Sequence, residues 1–146
     1  MKKDDLLQWG NRILTAIFTL AFLYIAVSLA TSSFLLFIGL LLFTALPFTL
    51  VTLMRHLFAK KRPYQNSSKI PPRKGKNDSF PSRHAFSAFH IAMTAFSANA
   101  PLGYTLLALA VLLSSLRVFR GIHYPIDVIA GGFLGVFSGT ICLIIL

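Results

Sequence analysis

The sequence predicts an all-α protein, a polytopic bundle of about five transmembrane helices formed by one domain over residues 1–146. Three observations lead to this prediction. Hydrophobic residues make up 55% of the chain, and its mean hydropathy of +0.72 is well above what is usual for soluble proteins. Three long stretches contain no Lys, Arg, Asp or Glu. Basic residues separate these stretches, as expected where helices leave a bilayer.

The uncharged stretches give the predicted spans in order. Residues 13–54 form a 42-residue stretch, enough for two spans of about 20 residues each, at about 12–30 and 34–55. Residues 84–116 provide two more, at about 82–99 and 102–119, because Asn99-Ala-Pro101 interrupts them. The last span covers about 126–146. Helices of about 18 residues reach only ~27 Å, so little tilt is available to them.

The first apolar run resembles a signal peptide in one respect, because Lys2 and Lys3 precede it and Ser28-Leu-Ala30 is similar to a cleavage site. We favour a membrane span, since the run is long and Asp4 and Asp5 lie in what would be the basic leader.

Metal and thiol chemistry are disfavoured by composition. Cys142 is the only cysteine, which excludes an intrachain disulfide and a multi-thiolate metal site. We expect it to serve packing. The chain has no glutamate and four aspartates, too few for a carboxylate-rich metal cage. We therefore expect no metal and no cofactor.

The net charge of +10 is concentrated on one predicted face. With five spans, all fourteen Lys and Arg residues fall on that face, many of them in a predicted surface loop at about 59–80. Nucleic acid is a poor candidate partner because the loop carries only Tyr64 and Phe80 for base stacking. We interpret several of the cations as topology bias or lipid headgroup contacts: Lys60, Lys61, Lys69, Arg73, Lys74 and Lys76.

Three motifs lie on this same face: Arg55-x6-Arg62-Pro63, Pro81-Ser-Arg-His84 and Arg117-x5-His123-x3-Asp127. Arginine forks match phosphoryl oxygens in paired hydrogen bonds, so several of them together favour a phosphate ligand. Pro81 fits the start of a helix, whose free N–H groups and positive end add to an anion pocket. Ser82 can contribute a hydroxyl donor to the same anion.

Two histidines in these motifs fit acid and nucleophile roles. His84 lies at a predicted helix start and can give a proton to a leaving oxygen. His123 is followed four residues later by Asp127, whose carboxylate can hold one ring nitrogen protonated while the other attacks phosphorus. Cations that neutralise the transferring group remove the need for a metal. The residues therefore point to a phosphohistidine intermediate.

The three motifs together resemble the signature of the type 2 phosphatidic acid phosphatase family, membrane lipid phosphatases related to vanadium haloperoxidases. The resemblance implies a metal-independent, all-helical membrane phosphatase without a cofactor. It implies His123 as nucleophile, Asp127 as its orienting partner, and His84 as general acid and then base. It also implies a set of phosphate-binding residues: Arg55, Arg62, Ser82, Arg83 through its backbone, and Arg117.

The chain departs from the family pattern at four points. Arg55 stands where the family usually has Lys, Arg83 where it has Gly, and Leu116 where it commonly has Ser. The fourth departure is the number of spans, five instead of the usual six. None of these changes removes a chemical group that the mechanism needs.

Substrate, partners and membrane face are less determined. A site at a membrane edge favours a lipid phosphomonoester or terminal lipid diphosphate within the bilayer, with membrane lipids as the other partners. Alternatives are an inactive protein that binds lipid phosphate headgroups, a phosphatase for a soluble ester, and a carrier of phosphorylated lipid between leaflets. The protein is expected to be multi-pass in the cell membrane. Charge bias favours a cytoplasmic site and the resemblance an extracytoplasmic one; the oligomeric state stays open.

Several other residues have structural interpretations. We expect His90 to make a satisfied interhelical contact, and His56 to lie in solvent or among headgroups. Gly131, Gly135 and Gly139 recur every four residues, which permits a close approach by a neighbouring helix in this chain or another. Arg120 is expected at the membrane interface, and Trp9 and Tyr124 in its aromatic belt.

Overall fold

A computed structural model describes residues 3–63 and 78–146, and the helical architecture agrees with the prediction. It contains α1 (Lys3–Ser32), α2 (Phe34–Phe58), α3 (Arg83–Thr94), α4 (Ala100–Phe119) and α5 (Pro125–Ile145). No strand is found among these residues, so the all-α bundle is confirmed. Part of the predicted surface loop lies outside the described residues, including Tyr64, Lys69, Arg73, Lys74 and Lys76.

Four helices are long and apolar enough to cross a membrane: Asp5–Ser32, Phe34–Phe58, Ala100–Phe119 and Pro125–Ile145. The third predicted span is shorter than expected. It consists of the 12 residues of α3 followed by a 3-10 helix of 3 residues, Ala95–Ser97. With about 1.5 to 2 Å of rise per residue, it falls short of a ~30 Å hydrocarbon core. The protein is a multi-pass membrane protein whose third helix is short.

Local sequence signals set the helix boundaries. Ser33 alone separates α1 from α2, and its hydroxyl accepts a hydrogen bond from the N–H of Leu36. Ala59 ends α2 in the left-handed region at φ 42°, where its N–H bonds the carbonyl of Arg55. Asn99 caps α4 by accepting from the N–H of Leu102 at 2.8 Å. Each cap satisfies backbone groups that a helix end leaves unpaired.

The core lies where α1, α2, α4 and α5 surround the short α3. Small side chains of α3 and α4, such as Ala88, Ala92 and Ala110, let the helices approach closely, and Cys142 is fully buried beside them. The packing role predicted for Cys142 is confirmed. Larger residues complete the core: Leu14, Phe18, Ile25, Leu40, Leu106 and Leu113.

The glycine stripe of α5 packs directly against the backbone of α3. A Cβ atom added at Gly131 would lie 2.4 Å from the carbonyl oxygen of Ser82, and one at Gly135 would lie 2.4 Å from that of Phe86. At Gly139 the corresponding distance to the His90 carbonyl oxygen is 2.8 Å. The predicted close approach is confirmed, and the neighbour is α3 of the same chain.

His90 links three helices and is not part of the candidate site. Its Nδ1 lies 2.9 Å from the Ser138 hydroxyl on α5, and its Nε2 lies 3.1 Å from the Thr44 hydroxyl on α2. Both ring nitrogens of this buried imidazole therefore have partners. The predicted interhelical contact is confirmed.

Candidate active site

The predicted site residues come together at one end of the bundle. Four chain segments meet there: the end of α2, the start of α3, the end of α4 and the start of α5. A backbone hydrogen bond of 2.9 Å, from the Ser82 N–H to the Asp127 carbonyl, joins the starts of α3 and α5. His84 lies close enough to Arg117 and His123 for their charges to act on it. The fold thus gathers residues from all three motifs.

His123 and Asp127 are both buried, with exposed fractions of 2% and 0%. Their closest atoms, Nδ1 and Oδ2, are 3.7 Å apart, which is beyond direct hydrogen-bond distance. The Ser79 hydroxyl donates to Asp127 Oδ2 and lies 3.5 Å from His123 Nδ1. A serine therefore contacts both members of the pair, which the four-residue spacing did not predict.

The longer separation follows from where α5 begins. His123 precedes the helix, whereas Asp127 lies in its first turn and accepts a hydrogen bond from the Tyr124 N–H at 3.0 Å. An i to i+4 spacing brings side chains together only when both residues lie on the same helix. The carboxylate serves as a helix cap, so it is held beside the imidazole without a direct hydrogen bond.

Lys60 is a further partner of Asp127 that the sequence did not indicate. Its Nζ lies 2.7 Å from Asp127 Oδ1, and its side chain is 37% exposed. The ammonium also lies over the rings of Tyr124 and Phe80, at 4.6 and 5.6 Å from their centroids. In the sequence, only the position of Lys60 inside the first motif and just after α2 could have indicated a place near the site.

Arg55 and Arg62, both predicted to bind phosphate, share the carboxylate of Asp78. Arg55 Nη2 donates to Oδ2 at 2.7 Å, and Arg62 Nε donates to Oδ1 at 3.0 Å. Burial opposes ionisation of Asp78, but these two hydrogen bonds and the arginine charges outweigh it and lower its pKa. A second Arg55 donor, Nη1, bonds the Pro81 carbonyl at 3.0 Å. The two guanidinium groups are therefore held side by side by one anion.

Arg117 differs from the other two arginines. It is 6% exposed, and its Nε and Nη1 atoms have no hydrogen-bond partner among the described residues. Its backbone carbonyl accepts from the N–H groups of Ile122 and His123, at 3.1 and 3.3 Å. The charge of the buried guanidinium acts on the imidazole of His123. Such unsatisfied donors are costly unless an anion completes their hydrogen bonding.

The start of α3 carries Ser82, Arg83 and His84. Ser82 is fully buried and caps the helix, with its hydroxyl accepting from the Ala85 N–H at 3.5 Å. His84 is exposed and opens onto a cavity of ≈ 530 Å³. Arg83 borders the same cavity, and its guanidinium carbon lies 6.0 Å from the centroid of the Phe48 ring. The side chain of Arg83 therefore faces the cavity mouth.

Burial and nearby cations keep His123 neutral. The pKa of His123 lies below its usual value because the imidazole is buried and because Arg117 and Arg62 add positive charge nearby. The negative charge of Asp127 raises the pKa of His123, but this effect is smaller than the combined effect of burial and the arginines. At neutral pH the imidazole is unprotonated, which is the form that can attack an electrophile.

Three further residues were assigned lesser roles from the sequence. His56 is exposed, as expected, although its neighbour Arg55 is buried. Arg120 is half-buried, and its charge acts on Arg117. Trp9 is exposed, with the Arg12 guanidinium 5.7 Å from its ring centroid.

Comparisons with known proteins agree with this architecture. The crystal structure of Aquifex aeolicus LpxE superposes with a TM-score of 0.66 and 25% identity, covering 95% of this chain and 93% of that one. The bacitracin transport permease protein BcrC of Bacillus licheniformis is 40% identical over 62 residues. That match spans 42% of this chain and 30% of that relative. A family model described as PAP2 superfamily matches residues 14–146, so the chain belongs to this superfamily of type 2 phosphatidic acid phosphatases.

Proposed function

We propose that the protein is a membrane phosphatase that hydrolyses a lipid phosphomonoester or a terminal lipid diphosphate without a metal ion. One observation carries the proposal: the buried Arg117 guanidinium, with two unpartnered donors among the described residues, is near enough to the buried imidazole of His123 for its charge to act on it. A phosphoryl group placed there would complete the hydrogen bonding of Arg117 and present its phosphorus atom to His123. Membership of the superfamily supports the same chemistry.

In the first step, His123 attacks phosphorus through Nε2. Its Nδ1 faces Ser79 and Asp127, which leaves Nε2 as the free nitrogen. A nitrogen–phosphorus bond forms while the bond from phosphorus to the leaving oxygen breaks. His84, protonated while the anionic substrate is bound beside it, donates its proton to that oxygen. Arg117, Arg55 and Arg62 neutralise the charge on the transferring group.

In the second step, water releases phosphate from the phosphohistidine. His84, now neutral, accepts a proton from the attacking water, and an oxygen–phosphorus bond replaces the nitrogen–phosphorus bond. Asp127 stabilises positive charge on His123 while the intermediate exists. Free enzyme and inorganic phosphate are the products. The sum of the two steps is hydrolysis with no net consumption of protein groups.

The cavity beside His84 supports a lipid substrate over a soluble one. Apart from Arg83, His84 and His90 its lining is made of apolar, hydroxyl and aromatic side chains of the helices, among them Phe18, Phe22, Phe48, Ile91 and Leu113. These residues lie on α1, α2, α3 and α4, of which α1, α2 and α4 are long and apolar enough to cross a membrane. An acyl or prenyl chain fits such surroundings, whereas a sugar would lose its hydrogen bonds to water.

The test is phosphate release by purified protein in detergent, measured with and without a chelator on lipid and water-soluble phosphates. We expect release from at least one lipid substrate, unaffected by chelator. His123→Ala and His84→Ala should each lower kcat by at least about 100-fold, as expected for a nucleophile and a general acid. His56→Ala, an exposed histidine outside the site, is the matched control.

Three outcomes would contradict the proposal. If no phosphate is released from any substrate, the protein is not a phosphatase for these compounds, and an inactive headgroup-binding protein is favoured. Loss of activity on chelation would remove the metal-free mechanism. Faster hydrolysis of soluble esters than of lipids would remove the lipid assignment. Acid-labile, base-stable radioactive phosphate on the wild-type protein but not on His123→Ala would support the covalent intermediate.

A further inference from the structure

Lys60 contacts the carboxylate oxygen of Asp127 that lies away from His123. Asp127 Oδ2 is shared by the Ser79 hydroxyl, the Tyr124 N–H and, at 3.7 Å, His123 Nδ1. The other oxygen, Oδ1, receives Lys60 Nζ at 2.7 Å. Within the described part of the chain, a single cation thus binds the side of the carboxylate that faces away from the nucleophile.

The lysine is fixed in this position by more than its charge. Its backbone carbonyl accepts a hydrogen bond of 2.9 Å from the Ser79 N–H, which ties together two of the residues that contact Asp127. Its ammonium also lies over the rings of Tyr124 and Phe80. A lysine over an aromatic ring gains favourable electrostatic interaction that a freely solvated side chain lacks. This arrangement is unlike that of a cation which only balances membrane charge.

We propose that Lys60 is a positioning residue of the hydrolase reaction, acting through Asp127 to hold the carboxylate with Oδ2 toward His123. The inference rests on the proposed function. Removal of Lys60 would leave Oδ1 without its partner and allow the carboxylate to rotate, so that His123 would lose its orientation. Lys60 would then matter for kcat, because it does not itself touch the phosphoryl group, and it would matter little for KM.

The kinetic test compares Lys60→Met with Lys61→Met, the exposed neighbouring lysine that serves as control. We expect Lys60→Met to lower kcat by about 10- to 100-fold with KM within about twofold, as for a lost charge-assisted hydrogen bond. Lys60→Arg, which keeps the charge, should recover part of the activity. Lys61→Met should leave both constants unchanged.

A double-mutant cycle separates action through Asp127 from direct contact with substrate. In an Asp127→Asn background, Lys60→Met should change kcat by less than about twofold, because the carboxylate through which it acts is absent. An additive loss in the double variant, or a rise in KM for Lys60→Met alone, would overturn the proposal and make Lys60 a phosphate contact. If Lys60→Met does not fold, Lys60→Gln takes its place with the same outcomes.

A measurement without turnover keeps this inference separate from the proposed function. Histidine-selective NMR in detergent follows the titration of His123, with its signal assigned by His123→Gln. Arg117, Arg62, Arg55 and Asp127 all act on this imidazole. Loss of the Lys60 cation should raise the measured pKa of His123, and Lys61→Met should have a smaller effect. No shift would overturn the Lys60–Asp127 pairing, whereas a shift in a protein that hydrolyses nothing would locate the failure in the proposed function.

Discussion

Asp78 presents an anion to two of the arginines proposed to bind phosphate. Its carboxylate contacts Arg55 at 2.7 Å and Arg62 at 3.0 Å, and its lowered pKa keeps it ionised at neutral pH. An incoming phosphoryl group would need the same donors. The carboxylate and the substrate therefore compete for one set of positive charges.

We expect Asp78→Asn to strengthen binding of inorganic phosphate. The substitution keeps the size of the side chain but removes a negative charge next to the two guanidinium groups. Competitive inhibition should tighten about fivefold, which corresponds to ~1 kcal/mol of electrostatic interaction at a partly exposed site. The measurement is the inhibition constant for phosphate in the wild type and in the variant. Weaker inhibition would instead mean that Asp78 holds the arginines in their binding positions.

The sequence predicted which residues gather at this site but not how they pair. His84, Arg117, His123 and their neighbours were found because motif spacing places them at helix ends on one face. Asp78 and Ser79 were not assigned, and Lys60 was interpreted as topology bias or a lipid headgroup contact, because the contacts of all three residues depend on tertiary packing. Sequence spacing carries no information about such long-range contacts. The chemical roles proposed for all of these residues stay predictions.

At the scale of elements, the packing of α3 against α5 depends on the absence of side chains at three glycines. A Cβ atom at Gly135 would lie 2.4 Å from the Phe86 carbonyl oxygen and 2.9 Å from the Phe89 Cβ. Backbone atoms cannot move aside as a flexible side chain can. The position of α3 therefore depends directly on these glycines.

We expect Gly135→Ala to destabilise the fold by about 1–3 kcal/mol, as for an overpacked core. The matched control is Gly39→Ala on α2, because a Cβ atom there meets nothing within 4 Å. That substitution should be neutral or stabilising by up to ~1 kcal/mol, since alanine is the better helix former. Unfolding of both variants in detergent provides the comparison. Equal stabilities would show that α3 can shift without loss.

Helix positions were largely predictable from sequence, whereas the length of the third was not. Uncharged runs and the interruption at Asn99-Ala-Pro101 placed all five helices. The run that begins at His84 gave no sign that α3 ends at Thr94 and changes to a 3-10 helix. Hydropathy reports only that a segment avoids water, so a helix enclosed by others and a helix facing lipid are similar in sequence.

At the scale of the whole molecule, burial of His123 links the stability of the fold to pH. In the folded protein the pKa of this imidazole is lowered by burial and by the nearby cations, while in the unfolded chain it is about 6.5. Between these two values the unfolded chain binds more protons. The free energy of unfolding therefore decreases as pH falls below about 6.5, and the imidazole contributes no such dependence above it.

We expect the unfolding midpoint in detergent to fall between about pH 6.5 and 4, and His123→Gln to reduce the slope. One titrating group changes the free energy of unfolding by at most ~1.4 kcal/mol per pH unit. The measurement is denaturant unfolding of both proteins across this range. An identical slope in the variant would mean that His123 is not the group responsible.

The charge distribution also belongs to this scale. Among the described residues, the motif residues and the neighbouring Lys60 and Lys61 lie at the same end of the bundle. Charge bias predicts the cytoplasmic side for that end, and this stays a prediction.

Because α3 is enclosed by the other helices, the part of the protein that positions the two histidines is separate from the part that lines the cavity. The helix that carries His84 is held to α5 through main-chain contacts at glycines, and α5 begins just after His123. The spacing of the two histidines is thereby set by backbone rather than by replaceable side chains. The outer wall of the cavity beside His84 comes from α1 and α2, which lie apart from that contact. Substitutions in those two helices can alter the chain that a substrate carries while the reaction stays the same, so substrate preference can evolve, or be engineered, independently of catalysis.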